Sequence, residues 1–159
     1  MRHTVPFLAA LLAATPIAAQ TIVFDPHLDL PKTAATPGWN GLNDPSSKFD
    51  LARAQSGGLT AAAIALFVAQ GPRDPASLAT AQRDAIARDA AIHAIADGNP
   101  TRAALARSPA DVRRIVAGHR FAVVESLLNA WPAGDDLDAF DRWYARGVRI
   151  VGFVHAGHN

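Results

Sequence analysis

Two residues that could bind a metal ion stand two positions apart near the start of the sequence. His27 and Asp29 follow the apolar run of residues 22–24. Because alternate residues of a β-strand project to the same side, the imidazole and the carboxylate can reach one point in space. Imidazole nitrogen and carboxylate oxygen are ligands that zinc accepts in proteins. The spacing therefore predicts a metal-binding pair at the end of a strand.

Two later residues stand at similar positions. Glu125, the only glutamate of the chain, follows the apolar run 121–124, and His155 follows the run 150–154. A carboxylate beside such a run is costly to bury unless it is paired or binds a metal, which makes Glu125 a candidate ligand. The competing interpretation is that Glu125 reaches water or an arginine at the strand end. By contrast, His93 in an alanine-rich helix and His119 in a turn are interpreted as ordinary residues.

Apolar strand-like runs alternate with helical segments along the chain. Glycine and proline boundaries, helix-capping residues and the spacing of apolar side chains define the segments. The first predicted strand begins at residue 22, and the other three cover residues 59–69, 121–124 and 148–154. The predicted helices run from Ser46 or Ser47 to Ala54, from Asp74-Pro75 to about Asp97, from Ser108-Pro109 to Gly118, and from Asp135-Asp136 to Gly147.

This alternation predicts a parallel sheet covered by helices. No Gly-x-Gly-x-x-Gly motif follows any strand, which argues against a nucleotide-binding doubly wound fold. Four βα units correspond to the N-terminal half of a (β/α)8 barrel, a TIM-type fold whose active sites lie at the carboxyl ends of the strands. His27, Asp29, Glu125 and His155 are all predicted to lie at that end.

Residues 1–19 are predicted to form an export signal, leaving a mature domain of residues 20–159. Arg2 and His3 precede an apolar stretch at 5–14 that is too short to span a bilayer, and the small or apolar residues at 17–19 offer a cleavage site before Gln20. The mature chain is therefore expected to be periplasmic or secreted and to contain no transmembrane span.

Composition excludes several function classes. A formal net charge of +1 gives no electrostatic case for binding nucleic acid. The absence of cysteine excludes disulfides, a thiol nucleophile and thiolate metal ligands. The sequence also lacks the Gly-x-Ser-x-Gly elbow of serine hydrolases and the His-Glu-x-x-His motif of zinc proteases.

Several stretches, in order along nearly the whole mature chain, resemble the membrane (renal-type) dipeptidases, metallopeptidase family M19. They cover residues 25–31, 49–53 with Gly57-Gly58, 107–112, Glu125, and 143–149 leading into 155–159.

The resemblance implies a (β/α)8 barrel that carries a binuclear zinc centre and hydrolyses dipeptides. His27 and Asp29 would bind the first zinc, Glu125 would bridge both ions, and a bridging hydroxide would attack the peptide carbonyl. His155 would contact the substrate carbonyl or the oxyanion that develops from it. A homodimer is compatible with this assignment. Residues 126–130 read Ser-Leu-Leu-Asn-Ala where the family usually has glycines, a difference expected to affect substrate choice.

In the family, two histidine ligands of the second zinc, an arginine that recognises the substrate carboxylate, and an aspartate near the bound water come from later strands. The sequence ends four residues after His155, so a fragment with an incomplete second metal site and no activity of its own is expected. Two alternatives stay open. One is a non-catalytic periplasmic binding or scaffold protein with the same barrel, and the other is an amidohydrolase-like enzyme acting on another amide or a lactone.

Overall fold

The computed structural model describes residues 20–156, so the predicted export signal lies outside the described residues. Five strands and four α-helices alternate along this part of the chain, with two short 3-10 turns at Lys32–Ala35 and Trp131–Ala133. In chain order they are β1 (Phe24–Asp29), α1 (Leu51–Ser56), β2 (Ala61–Phe67), α2 (Pro75–Asp97), β3 (Ala103–Leu105), α3 (Pro109–Ala117), β4 (Phe121–Leu128), α4 (Asp138–Arg146) and β5 (Val148–Gly152).

The strands form one parallel sheet in which β2 lies between β1 and β4. Both β3 and β5 pair with β4 on its other side, β3 beside residues 121–123 and β5 beside residues 125–128. The long strands β1, β2, β4 and β5 are thus neighbours in sequence order, as successive strands of a (β/α)8 barrel are. The prediction of four strands missed β3, which has only three residues.

Two helices begin at the positions predicted from their capping residues. The Asp74 carboxylate accepts hydrogen bonds from the backbone N–H groups of Ala76 and Ser77, and α2 starts at the next residue, Pro75. The Ser108 hydroxyl accepts a hydrogen bond from the backbone N–H of Asp111 at the start of α3. Each side chain satisfies backbone donors that have no partner within the helix.

The other two helices are shorter than predicted. Helix α1 begins at Leu51, and its N-cap is Asp50 rather than Ser46 or Ser47, because the Asp50 carboxylate accepts the backbone N–H of Arg53. Helix α4 begins at Asp138, three residues after Asp135, and no side chain caps it.

The two faces of the sheet carry different side chains. On the outer face, under α2, buried residues of β2 and β4 pack against Ile92 and Ile95 of the helix. The inner face carries small residues, with Ala61, Ala63 and Ala65 in register with Ala122, Val124 and Ser126. Residues in register on neighbouring strands point to the same side of the sheet, and side chains alternate along each strand. Once the face of one residue is known, the faces of all other residues of that strand follow. Between residues 20 and 156, no helix is both long and apolar enough to cross a bilayer.

Candidate functional site

His27 and Asp29 come together at the carboxyl end of β1. The His27 Nε2 and Asp29 Oδ1 atoms are 3.5 Å apart, and the two side chains are 50% and 70% exposed. Asp29 is in register with Ala65 of β2, so the pair lies on the inner face of the sheet. The strand alternation thus produces the predicted juxtaposition, with both groups accessible from solvent.

His155 lies at the same end of the sheet. It follows β5, and its ring packs on the ring of Phe67 with 4.7 Å between the centroids. Phe67 is the last residue of β2, two positions after Ala65, and therefore shares the inner face with Asp29. The carboxyl ends of β1, β2 and β5 thus form one rim that carries an imidazole, a carboxylate and a second imidazole. We call His27, Asp29 and His155 the rim site.

The structure does not bring Glu125 to this rim. Strand β4 continues to Leu128, so Glu125 lies inside the strand instead of after its end. Glu125 is in register with Ile64, which lies on the face covered by α2, and the side chain of Glu125 is fully buried. Ser126 and Leu128 occupy the inner-face positions at this end of β4. The prediction that Glu125 converges with His27 and Asp29 requires this correction, because β4 continues past Glu125 and its register against β2 places this side chain on the face opposite to Asp29.

Glu125 instead contacts His93 of α2 behind the sheet, and α4 joins the same group of residues through Arg146 and Asp89. Its Oε2 atom is 3.4 Å from Nε2 of His93, and that nitrogen is 3.8 Å from Oδ1 of Asp89. Arg146, the last residue of α4, donates hydrogen bonds from Nε and Nη2 to Asp89 Oδ2. We call Asp89, His93 and Glu125 the buried triad. The interpretation of His93 as an ordinary helical residue is therefore corrected.

Burial and neighbouring charges perturb this group of residues. Loss of hydration raises the pKa of Glu125, and the nearby Asp89 carboxylate raises it further. The contact with Glu125 raises the pKa of His93 above its ordinary value. The hydrogen bonds to Asp89 raise the pKa of Arg146. The buried carboxylates thus have two cationic or potentially cationic partners, which limits the cost of burying charge.

The sequence did contain signals for the buried triad. Asp89 lies on the buried stripe of α2 with Ala81, Ala85 and Ile92, at the helical spacing of a core position. His93 stands one turn later on the same face. A buried aspartate needs a partner, and the departure from the family pattern after Glu125 indicates that this glutamate has a different environment.

The donor groups fit a metal at the rim only in part. His27 and Asp29 supply one nitrogen and one oxygen ligand of the types that zinc accepts. A bridging carboxylate from β4 does not fit, because Ser126 and Leu128 hold the inner-face positions where it would have to stand. Asp89, His93 and Glu125 form a second donor set, whose ligand atoms all lie within 4.8 Å of one another.

Comparison with known proteins shows the family. The model of the membrane dipeptidases, peptidase family M19, matches residues 12–159. The crystal structure of the probable dipeptidase PvdM from Pseudomonas aeruginosa is similar over 87% of this chain, with 34% sequence identity and a TM-score of 0.79. Dipeptidase AC, a metallopeptidase of family M19, is similar over 85% of the chain, with 26% identity and a TM-score of 0.69.

A third structure, a metallopeptidase from Rhodobacter sphaeroides liganded with a phosphinate mimic of the dipeptide L-Ala-D-Ala, shares the fold at 23% identity and a TM-score of 0.69 over 85% of the chain. The matched regions cover 36%, 43% and 46% of these three proteins, so the chain spans less than half of each. A search of curated proteins finds no significant match. The structure is accordingly part of a TIM-type barrel, and the chain belongs to the membrane dipeptidase family, peptidase family M19.

Proposed function

We propose that this chain is the N-terminal part of an exported zinc-dependent dipeptidase that acts in the periplasm or outside the cell. The observation that supports this proposal is the convergence of His27, Asp29 and His155 on one rim of the sheet, in a chain of family M19. Dipeptides are the proposed substrates, because the family model and the two most identical of the compared structures are described as dipeptidases.

Each rim residue has a proposed role. His27 and Asp29 would hold a metal ion, the histidine through its imidazole and the aspartate through its carboxylate. Zinc bound there would supply a Lewis acid and lower the pKa of a coordinated water. His155 contacts the substrate carbonyl and stabilises the negative charge that develops on its oxygen. The tilted contact with the ring of Phe67 restricts the imidazole of His155 and so positions it before substrate arrives.

We assign Glu125 no role at the rim site. A centre of two zinc ions, if the complete protein has one, would need its bridging carboxylate from a residue other than Glu125. Of the two faces of β4, the inner one is on the same side of the sheet as the rim pair, and it carries Ser126 and Leu128 at its carboxyl end. We therefore assign one metal to His27 and Asp29 and leave Glu125 in the buried triad.

We further propose that the 159-residue chain alone does not hydrolyse dipeptides, because it spans only 36% of PvdM. Purified chain should bind zinc weakly at the rim and release no amino acids from L-Ala-L-Ala or L-Ala-D-Ala. Release of amino acids that a chelator abolishes and zinc restores would contradict the assignment as a fragment.

The activity itself is to be tested in the complete gene product that contains this chain. Replacing His155 by Ala should lower kcat about 100- to 1,000-fold, the usual effect of losing one oxyanion donor. Replacing His27 by Ala should lower both activity and bound zinc. His119→Asn is the matched control, since His119 is exposed in a turn distant in sequence from the rim residues. Full activity of the His27→Ala variant would refute the proposal.

The position of Glu125 supports a second candidate, a member of the family that binds dipeptides without cleaving them. Burial of Glu125 on the outer face removes the carboxylate expected to bridge two metals. Saturable dipeptide binding by the complete protein, with no hydrolysis in excess zinc, would favour this candidate over the enzyme.

A further inference from the structure

The spacing of the buried triad is unusual for hydrogen bonds. The His93 Nε2–Glu125 Oε2 distance is 3.4 Å and the His93 Nε2–Asp89 Oδ1 distance is 3.8 Å. Hydrogen bonds between nitrogen and oxygen usually measure about 2.7–3.2 Å. Ligand atoms at about 2.0–2.1 Å from a tetrahedral zinc lie about 3.4 Å from one another. The separation of His93 and Glu125 thus matches that of two ligands on one zinc ion, and the ligand atoms of all three groups lie within 4.8 Å of one another.

Two carboxylate oxygens in the triad also have no hydrogen-bond partner within residues 20–156. They are Oδ1 of Asp89, whose side chain is 2% exposed, and Oε1 of Glu125, whose side chain is 0% exposed. A buried acceptor left without a partner is costly, and the cost is greater for a charged group. A cation bound between the two carboxylates would neutralise their charge and would give Asp89 Oδ1 the partner that it lacks.

The surroundings hold the three ligands in place. Arg146 binds the Oδ2 atom of Asp89 and leaves Oδ1 directed at His93, as a hydrogen-bonded neighbour of a metal ligand commonly does. Gly147, with φ of 143°, lies against the triad. A Cβ atom at this position would stand 3.1 Å from Glu125 Oε2 and 3.4 Å from His93 Nε2, so the glycine keeps this space open.

We propose that Asp89, His93 and Glu125 bind a zinc ion at a structural site on the outer face of the sheet, separate from the rim site. One imidazole and two carboxylates form a nitrogen and oxygen donor set that zinc accepts. The His93 side chain is 27% exposed, which provides a route for the ion and for a water molecule as fourth ligand. The ion would join α2 to β4, and through Asp89 and Arg146 to α4.

The test uses the full chain with the rim pair removed, His27→Ala/Asp29→Asn. Both rim side chains are at least half exposed, so this double variant should fold. After treatment with EDTA, the double variant should bind one zinc ion by calorimetry and should melt at a higher temperature with zinc than without it. X-ray absorption at the zinc edge should show a single imidazole among nitrogen and oxygen ligands.

Adding Glu125→Gln to the double variant should weaken zinc binding at least about tenfold, since the amide keeps the shape of the carboxylate but loses its charge. Adding His119→Asn should not change the affinity. The proposal is overturned if the double variant binds no zinc, or if Glu125→Gln leaves affinity and the melting shift unchanged. If the Glu125 variant fails to fold, the absorption spectrum of the double variant decides: more than one imidazole ligand excludes the buried triad. The double variant lacks the rim metal ligands, so its zinc binding reports on the buried triad alone. The buried-triad proposal and the proposed function can therefore each be refuted without the other.

Discussion

Replacing Arg146 by methionine should substantially destabilise the protein without removing any apolar contact of the core. Arg146 donates hydrogen bonds from Nε, at 3.1 Å, and from Nη2 to the same oxygen of Asp89. The methionine side chain keeps much of the aliphatic stem but loses the guanidinium, which also lies 5.9 Å from the centroid of the Trp143 ring. The loss of stability is therefore expected to come mainly from leaving the buried Asp89 carboxylate without its cation.

The expected magnitude follows from the burial of the two groups. Removing one partner of a buried ion pair usually costs about 3–5 kcal/mol, because the other charge stays buried and unpaired. The Asp89 side chain is 2% exposed but that of Arg146 is 41% exposed, so water already screens the pair from one side. We therefore expect a loss of about 2–3 kcal/mol in the free energy of unfolding in metal-free protein.

Urea unfolding in EDTA, followed by far-ultraviolet circular dichroism, measures this loss. With a slope of about 2 kcal/mol per molar urea, the midpoint should fall by about 1–1.5 M. The double variant Asp89→Asn/Arg146→Met should recover part of the loss, since an amide needs no counter-charge. Arg142→Met on the same helix is the control: Arg142 and its partner Asp136 are both more than half exposed, so little change is expected. Equal midpoints for the Arg146 and Arg142 variants would refute the reasoning.

Three further predictions concern other parts of the fold. The Ser46 hydroxyl helps lower the pKa of Asp44 to about 2, so the stability contributed by this carboxylate should be present above pH 4 and lost as the pH falls through about 2, and Asp44→Asn should reduce that loss. Ser108→Ala removes the bond to the Asp111 N–H at the start of α3 and should cost about 1 kcal/mol by urea unfolding. Leu66→Ala, at a fully buried position near the carboxyl end of β2, should cost about 2–5 kcal/mol by the same measurement.

Each of these predictions has a result that would contradict it. Equal acid sensitivity of wild type and Asp44→Asn between pH 4 and 2 would show that Asp44 does not control this range. Full recovery of stability is expected in Ser108→Thr, which keeps a capping hydroxyl, and its absence would argue against the cap. A loss below about 1 kcal/mol for Leu66→Ala would mean that the neighbouring side chains fill the space left by the leucine.

The sequence predicted correctly the starts of those helices whose first turn is fixed by residues adjacent in the chain. The Asp74-Pro75 and Ser108-Pro109 pairs begin α2 and α3 as predicted, since a cap satisfies backbone groups within one turn. The convergence of His27 and Asp29 also follows from local geometry, because a two-residue spacing on a strand is sufficient to align them.

Short or long-range features were less accessible from the sequence. Strand β3 has three residues, and its pairing with β4 joins segments that are distant in sequence. The extent of β4 could not be read from its apolar run, since residues 126–128 continue the strand beyond Glu125.

The chemistry of the single glutamate was decided by tertiary structure. The sequence by itself identified Glu125 as a residue that needs a partner, because an apolar strand cannot bury an isolated carboxylate at low cost. Only the fold decided which partner it has. The register of β4 against β2 turns Glu125 to the outer face, where α2 brings His93, 32 residues earlier in the chain, to within 3.4 Å. The face of the sheet on which a side chain lies depends on the register between strands, and the sequence of one strand does not determine that register.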